Sequence, residues 1–278
     1  MKTLYISDLD GTLLGRDDRL PPFTAETLNR LIGRGMRFTF ATARSWHSAH
    51  KVAAGLSPGL PWIVHNGAFL VEGATGARRD GQFFTPGQRA EILAAAREQD
   101  IWPLVYAVLE GREQVMYMAE PGRPRHPGME HYLQTRRDDP RLLPVTDPAE
   151  LFQGETYYFT FIDGQGPLAP LWERLGGLGW LNGTFQQELY RTEYWLELTA
   201  QGATKAQAAL RLKEELGCDR LVAFGDAMND LPLFAVADES YAVANAMEPV
   251  KAAATGVIGS NGEDGVARFL LANEEGRL

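Results

Sequence analysis

The chain has 278 residues, with 27 Lys+Arg against 36 Asp+Glu and a formal net charge of −9 at pH 7. Hydrophobic residues make up 45%, aromatics 10% and charged residues 23%, a balance that excludes a disordered chain, a collagen-like repeat and a disulfide scaffold. Only five of the basic residues are lysine, and so acidic a chain asks for no sequence-independent nucleic-acid partner.

In chain order, residues 3–7 form a β-favouring run stopped by acidic and glycine residues, which predicts a strand and then a loop. Thr24 is placed to cap a helix with Leu28, Leu31 and Ile32 on one face, ended by Gly33 and Gly35. Residues 37–42 predict a second strand, Ser45 starts a second helix to about residue 54, and 62–65 predict a third strand. Asn66-Gly67 is a turn signal leading into 69–71. From about residue 83 the rhythm changes: a helix over 86–99, strands at 104–109 and 114–118, and a Pro/Gly/Arg loop at 121–128. A strand at 156–162, a helix near 167–175 and a strand at 185–189 follow. The last third alternates again: strand 195–199, a helix after Thr204 to 216, strand 221–224, a helix at 231–237, and shorter elements from 241 to 271.

Strands alternating with helices predict an α/β fold: a Rossmann-like three-layer core with a mostly parallel sheet. The paired strands of the middle predict an α+β module inserted into it. The expected boundaries are 1–82 and 194–278 for the core and 83–193 for the insertion. Cys218 has no second cysteine to pair with and no nearby His to activate it, so it is expected to be inert. The first residues lack the apolar segment of a signal peptide, and no apolar run approaches eighteen residues. The expectation is a cytoplasmic chain with no membrane partner.

Four features fall where a strand is expected to end. The first is Asp8-Leu9-Asp10-Gly11-Thr12, whose two carboxylates at i and i+2 can face one site. An Asx turn explains the same residues. The second is Thr42, a hydroxyl that also suits a helix cap. The third is Lys205, a lysine in a helix's first turn, where the macrodipole disfavours it. It suits a phosphate, or it is simply solvated. The fourth is Gly225-Asp226-Ala227-Met228-Asn229-Asp230, an acid density that packing does not account for. Crowded carboxylates repel unless a cation or proton intervenes. An all-oxygen donor set with room for waters is what Mg²⁺ prefers, and there is no His/Cys cluster for zinc.

These motifs, in this order and over almost the whole chain, resemble the haloacid dehalogenase superfamily, in particular its Cof-like phosphatases with a large α+β cap. The resemblance implies Mg²⁺-dependent hydrolysis of a small phosphate monoester, such as a sugar phosphate, through an aspartyl-phosphate intermediate. Asp8 is then the nucleophile and Asp10 the acid and base. Thr42, Lys205 and the Leu9 N–H bind phosphoryl oxygens. Mg²⁺ is held by Asp8, the Asp10 carbonyl and Asp226, with Asp230 and Asn229 behind it. The Leu-Pro-Leu-Phe run after the fourth motif, Ala-Thr-Lys in the third and Ala244 depart from the commonest pattern without removing a functional side chain.

Arg44, Arg123, Arg125 and His126 are candidates to grip the substrate's tail, though loop arginines are also commonly solvated. Tyr157, Phe159, Phe161 and His65 are expected in packing roles. The alternatives are a phosphomutase on the same fold or a catalytically weak binder of phosphometabolites. A P-loop kinase is excluded, because no Gly-x-x-x-x-Gly-Lys-Ser/Thr motif occurs. A monomer or weak homodimer is the expected assembly.

Overall fold

The computed structural model describes residues 1–120, 122, 124–188 and 191–275. The chain divides into two units, Met1–Gly81 with Gly202–Leu278, and Gln82–Gln201. The first unit opens with β1 (Thr3–Ser7), α1 (Pro22–Gly33), β2 (Arg37–Phe40), α2 (Trp46–Val52), β3 (Trp62–Val64), β4 (Phe69–Val71) and β5 (Arg78–Gly81). The second contains α3 (Pro86–Glu98), β6 (Leu104–Leu109), β7 (Arg112–Met118), α4 (Pro127–Thr135), β8 (Leu142–Val145), β9 (Glu155–Asp163), α5 (Gln165–Leu175), β10 (Leu181–Gln187) and β11 (Tyr194–Ala200). The first unit then resumes with α6 (Lys205–Glu215), β12 (Arg220–Gly225), α7 (Leu231–Val236), β13 (Glu239–Val243), α8 (Glu248–Ala253), β14 (Gly256–Ile258) and α9 (Gly265–Glu275).

The main sheet of the first unit runs β14-β13-β12-β1-β2, and every pair is parallel. Its strands read as near-continuous apolar runs because both faces are covered. Leu4, Ile6, Phe38, Phe40 and the whole of Leu221-Val222-Ala223-Phe224 are buried. Helix α1 packs on α9, and α7 on α6 and α8. Beyond β2, Ala41 bridges Ile63 in parallel, next to the small antiparallel sheet β3-β4-β5. Strand β1 lies between β12 and β2, so the loops leaving these three strands emerge side by side. Ligands of open α/β sheets bind at such carboxyl ends.

The second unit is a six-stranded sheet in the order β10-β11-β9-β6-β7-β8, antiparallel except for β7 with β8. Period-2 alternation divides its faces. Phe159, Phe161, Leu196 and Leu198 pack with Ile92 and Leu93 of α3 and Leu168, Leu171 and Leu175 of α5. Leu104, Val115 and Ile162 point the other way and meet Met129 and Leu133 of α4. Tyr157 is also fully buried.

The structure corrects several sequence expectations. The strand expected at 195–199 in the core's alternation is β11, which pairs with β9 and β10 of the second unit. Its Leu196 and Leu198 complete that unit's core. Thr24 does not cap α1. The helix starts on Pro22, whose fixed φ suits the first turn and whose missing N–H is not needed there, and Thr24 Oγ1 donates to Asp264 Oδ1 at 2.7 Å. The loop expected through 128 gives way to α4 at Pro127, with the His126 ring accepting from Gly128 N. Strands β5 and β8 carry no sequence signal, since Arg-Arg-Asp-Gly and Leu-Leu-Pro-Val lack a strand-like alternation. Arg123 and Leu189 lie outside the described residues. Cys218 is buried, and its N–H closes the end of α6 on Lys213 O at 2.9 Å. Among the described residues, no helix is long and apolar enough to cross a membrane.

Candidate active site

Asp8 continues the β1 ladder by one bond, donating its N–H to Phe224 O at 2.9 Å. The chain then turns at once. The Leu9 side chain is buried, and its carbonyl accepts from the N–H groups of Thr12, Leu13 and Leu14 at 3.3, 3.0 and 2.9 Å. Gly11 takes φ +70° in this turn, and a Cβ there would overlap the Asp226 carboxylate. Asn245 Nδ2 donates to Gly11 O at 2.7 Å. An alanine at Gly11 therefore meets both an unfavourable backbone conformation and a displaced Asp226. Gly11→Ala is expected to lower kcat by roughly 10²-fold, the effect of moving a catalytic group by about 1 Å. Phosphate release checks this, with circular dichroism to show that the fold persists, and wild-type turnover is the contrary result.

Lys205 is the first residue of α6, capped by Thr204, whose hydroxyl accepts from Gln207 N at 3.1 Å. The macrodipole's disfavour is overcome by two carboxylates: Nζ lies 2.8 Å from Asp8 Oδ1 and 2.8 Å from Asp230 Oδ1. The other oxygen of Asp230 accepts from Asp226 N at 3.0 Å and Ala227 N at 3.1 Å. Asp230, which is completely buried, therefore has its charge met entirely by protein donors. Thr12 Oγ1 donates to Asp226 Oδ1 at 2.8 Å. Gly67, at φ +97°, lets its backbone approach Thr204 where a Cβ would collide, and so seats the Asn66-Gly67 turn against the start of α6.

One oxygen each from Asp8, Asp226 and Asp230 lies within 4.8 Å of the others. Burial first, then the Asp230 and Asp226 charges, push Asp8 up to about 7 against the pull of Lys205. Burial, with Asp230 and Asp10 nearby, pushes Asp226 up to about 6, opposed by the Thr12 hydrogen bond. Burial pulls Lys205 down, but Asp8 and Asp230 outweigh it and hold the ammonium above its ordinary value. These crowded acids fit a hard divalent cation. The donors are all oxygen, and Lys205 and Thr12 engage only the Oδ1 atoms of Asp8 and Asp226, leaving each Oδ2 for a metal.

Not all the expected residues converge. Thr42 follows β2, is fully buried, and accepts from Arg44 N on its Oγ1 at 3.1 Å. It is not a helix cap, because Ser45 caps α2 by accepting from Ser48 N. The Asp10 carboxylate stands outside the acidic group, in a forked pair with Arg44 whose closest approach is 2.6 Å. Asn229 Nδ2 reaches Asn66 Oδ1 at 3.3 Å. In the second unit, Arg125 donates to Met118 O and Glu130 and lies over the Tyr117 ring, and His126 serves as the α4 cap. Thr12, Gly11 and Asn245 build the site without being evident as site residues in the sequence. The first two stand inside the first motif, and only the contact with Asp226 distinguishes them.

A family model described as haloacid dehalogenase-like hydrolase matches residues 5–270. A phosphoglycolate phosphatase of Methanopyrus kandleri is 28% identical over 272 residues, covering 97% of this chain and 96% of that one. The pyridoxal phosphate phosphatase YbhA of Escherichia coli is 25% identical over 275 residues, with 96% of each chain covered. Among solved structures, a haloacid dehalogenase-like hydrolase from Bacteroides thetaiotaomicron superposes with a TM-score of 0.74 at 24% identity, over 98% of this chain and 99% of that one.

Proposed function

This chain belongs to the haloacid dehalogenase-like hydrolases and is a phosphatase, and we propose that it hydrolyses a small phosphate monoester by way of an aspartyl phosphate on Asp8. The observation that carries this reading is the buried Asp8–Lys205–Asp230 array beside Asp226. Lys205 binds Asp8 Oδ1 and favours the ionised carboxylate, the form that attacks phosphorus. As the Asp8 O–P bond forms and the ester P–O bond breaks, Asp10 gives its proton to the departing alkoxide. Asp10 then takes a proton from water, the water oxygen attacks phosphorus, and the Asp8 O–P bond breaks to return the carboxylate. Thr42 Oγ1 and the Leu9 N–H bind phosphoryl oxygens, a role of positioning and charge neutralisation.

Asp8, the Asp10 carbonyl and Asp226 would hold a Mg²⁺ ion, with Asp230 orienting the set through the backbone. When bound, the ion supplies the positive charge that lets an anionic phosphate approach three carboxylates. Phosphatases of phosphoglycolate and pyridoxal phosphate among the relatives support a small metabolite such as a sugar phosphate as substrate.

The test is phosphate release across sugar phosphates, phosphoglycolate, nucleotides and pyridoxal phosphate, with Mg²⁺ and after chelation. Release from several small monoesters is expected, falling to background with EDTA and returning with Mg²⁺. Full activity in EDTA, or isomerised substrate without free phosphate, would overturn the reading.

A further inference from the structure

Arg44 suggests itself as a substrate ligand, but its guanidinium is already engaged within the first unit. Nε donates to both oxygens of Asp10, at 3.0 and 2.9 Å, and Nη2 donates to Asp10 Oδ1 at 2.6 Å. Nη1 donates to Ser48 Oγ on α2 at 3.0 Å. The Arg44 backbone is pinned at both ends, its N–H donating to Thr42 Oγ1 at 3.1 Å and its carbonyl accepting from His65 N at 3.0 Å. Its side chain is 25% exposed, whereas that of Asp10 is 44% exposed.

The chain around Asp10 does little to aim it. Strand alternation would point Asp8 and Asp10 the same way. The regular strand ends at Ser7, however, and the turn closing on Leu9 O breaks that alternation. A half-exposed carboxylate on such a turn rotates freely unless something holds it. A forked guanidinium pair fixes the plane of a carboxylate as well as its position. Here the fork comes from the bend between β2 and α2, held by Thr42 Oγ1, by the His65 N–H and by Ser48 on the first turn of α2.

We propose that Arg44 is a positioning residue: it aims Asp10 at the leaving oxygen and is not a ligand of the phosphate. The proposal rests on the acid–base role given to Asp10 above. A proton donor must come within about 3 Å of the oxygen it serves, and misplacing it by about 1 Å costs roughly 10²-fold in rate. The loss should appear only where the leaving group needs a proton.

The experiment compares full-length Arg44→Gln and Arg44→Lys with wild type, in Mg²⁺, on glucose 6-phosphate and p-nitrophenyl phosphate. The quantity read is kcat/KM, which covers the steps up to release of the alcohol. A sugar alkoxide cannot leave without a proton, whereas nitrophenolate can. Inhibition by inorganic phosphate reports the phosphate site separately, and thermal melting reports the fold. Both variants are expected to lose roughly 10²-fold on glucose 6-phosphate while p-nitrophenyl phosphate and phosphate inhibition stay near wild type. Lysine keeps the charge but loses the fork, so it should not rescue.

Equal losses on both substrates with weakened phosphate inhibition would make Arg44 a phosphate ligand and overturn the proposal. Equal losses with phosphate inhibition intact, or no loss at all, would also overturn it. Asp10→Asn separates the two levels. If it shows the leaving-group-dependent loss while the Arg44 variants do not, the positioning role alone fails. If Asp10→Asn shows none, the acid role fails and the positioning role with it.

Discussion

Asp8→Asn is expected to abolish phosphate release, with kcat falling by at least roughly 10⁴-fold, the order seen when a covalent nucleophile is removed. Asparagine matches aspartate in shape, and Lys205 keeps its 2.8 Å partner in Asp230, so the fold should survive. The same variant carries a pH signature. With metal chelated, burial and neighbouring acids hold Asp8 at about 7 and Asp226 at about 6, both above the usual carboxylate range. A carboxyl raised in the folded state contributes stability that is fully present below its unfolded pKa, near 4, and lost as the pH climbs through its folded value. Over pH 5.5 to 8, where Glu193, Asp238 and Glu263, held below their ordinary values, stay ionised, chelated wild type should therefore melt lower at the higher pH, and Mg²⁺ should restore much of the difference. Asp8→Asn removes the Asp8 share, so its melting temperature should fall less over that interval. Wild-type turnover in this variant would sink the nucleophile assignment. An unchanged pH dependence of melting would sink the electrostatic account of Asp8.

Lys205→Met is expected to have the largest effect on stability. It removes the cation between two carboxylates whose side chains are 7% and 0% exposed. Breaking a buried ion pair from one side costs about 3–5 kcal/mol, because the remaining charges are left without compensation. That corresponds to a fall of roughly 10 °C in Tm for a domain of this size. Activity should fall by at least roughly 10²-fold, as when one preorganised positive donor is removed from a dry site. Adding Asp8→Asn tests the cause. If uncompensated charge is responsible, Lys205→Met with Asp8→Asn should melt higher than the sum of the two single shifts predicts, the non-additivity expected of groups in contact. Strictly additive melting shifts would show that Lys205 acts through packing instead.

Both variants concern residues that are legible in the amino-acid sequence alone, and the reason is local. Asp8, Lys205 and Asp226 each stand where a recognisable strand stops or helix starts, so alternation and motif spacing point to them. The helix starts at Ser45 and Thr204 are equally readable, because a cap needs only its own next turn. Other features depend on partners far along the chain. Residues 195–199 show the alternation of a strand, but nothing in them says which sheet they join, and β11 is placed by its pairing with β9 and β10. The start of α4 is hidden in a Pro/Gly/Arg run because Pro127 suits a first helical turn as well as a loop. Thr24 has the residue type of a cap and instead meets Asp264, 240 residues away.

By itself the sequence determined the family, the α/β alternation and the identity of the chemical groups, since these depend on residue type and short-range order. Which way each group points was decided only by the tertiary structure. Asp10 and Arg44, both candidates for other duties, are joined because the ends of β1 and β2 lie side by side. Thr12 holds Asp226 because β1 and β12 are neighbours in the sheet. Hydrogen bonds and ion pairs act over about 3 Å, and only folding brings residues so far apart in the chain within that distance.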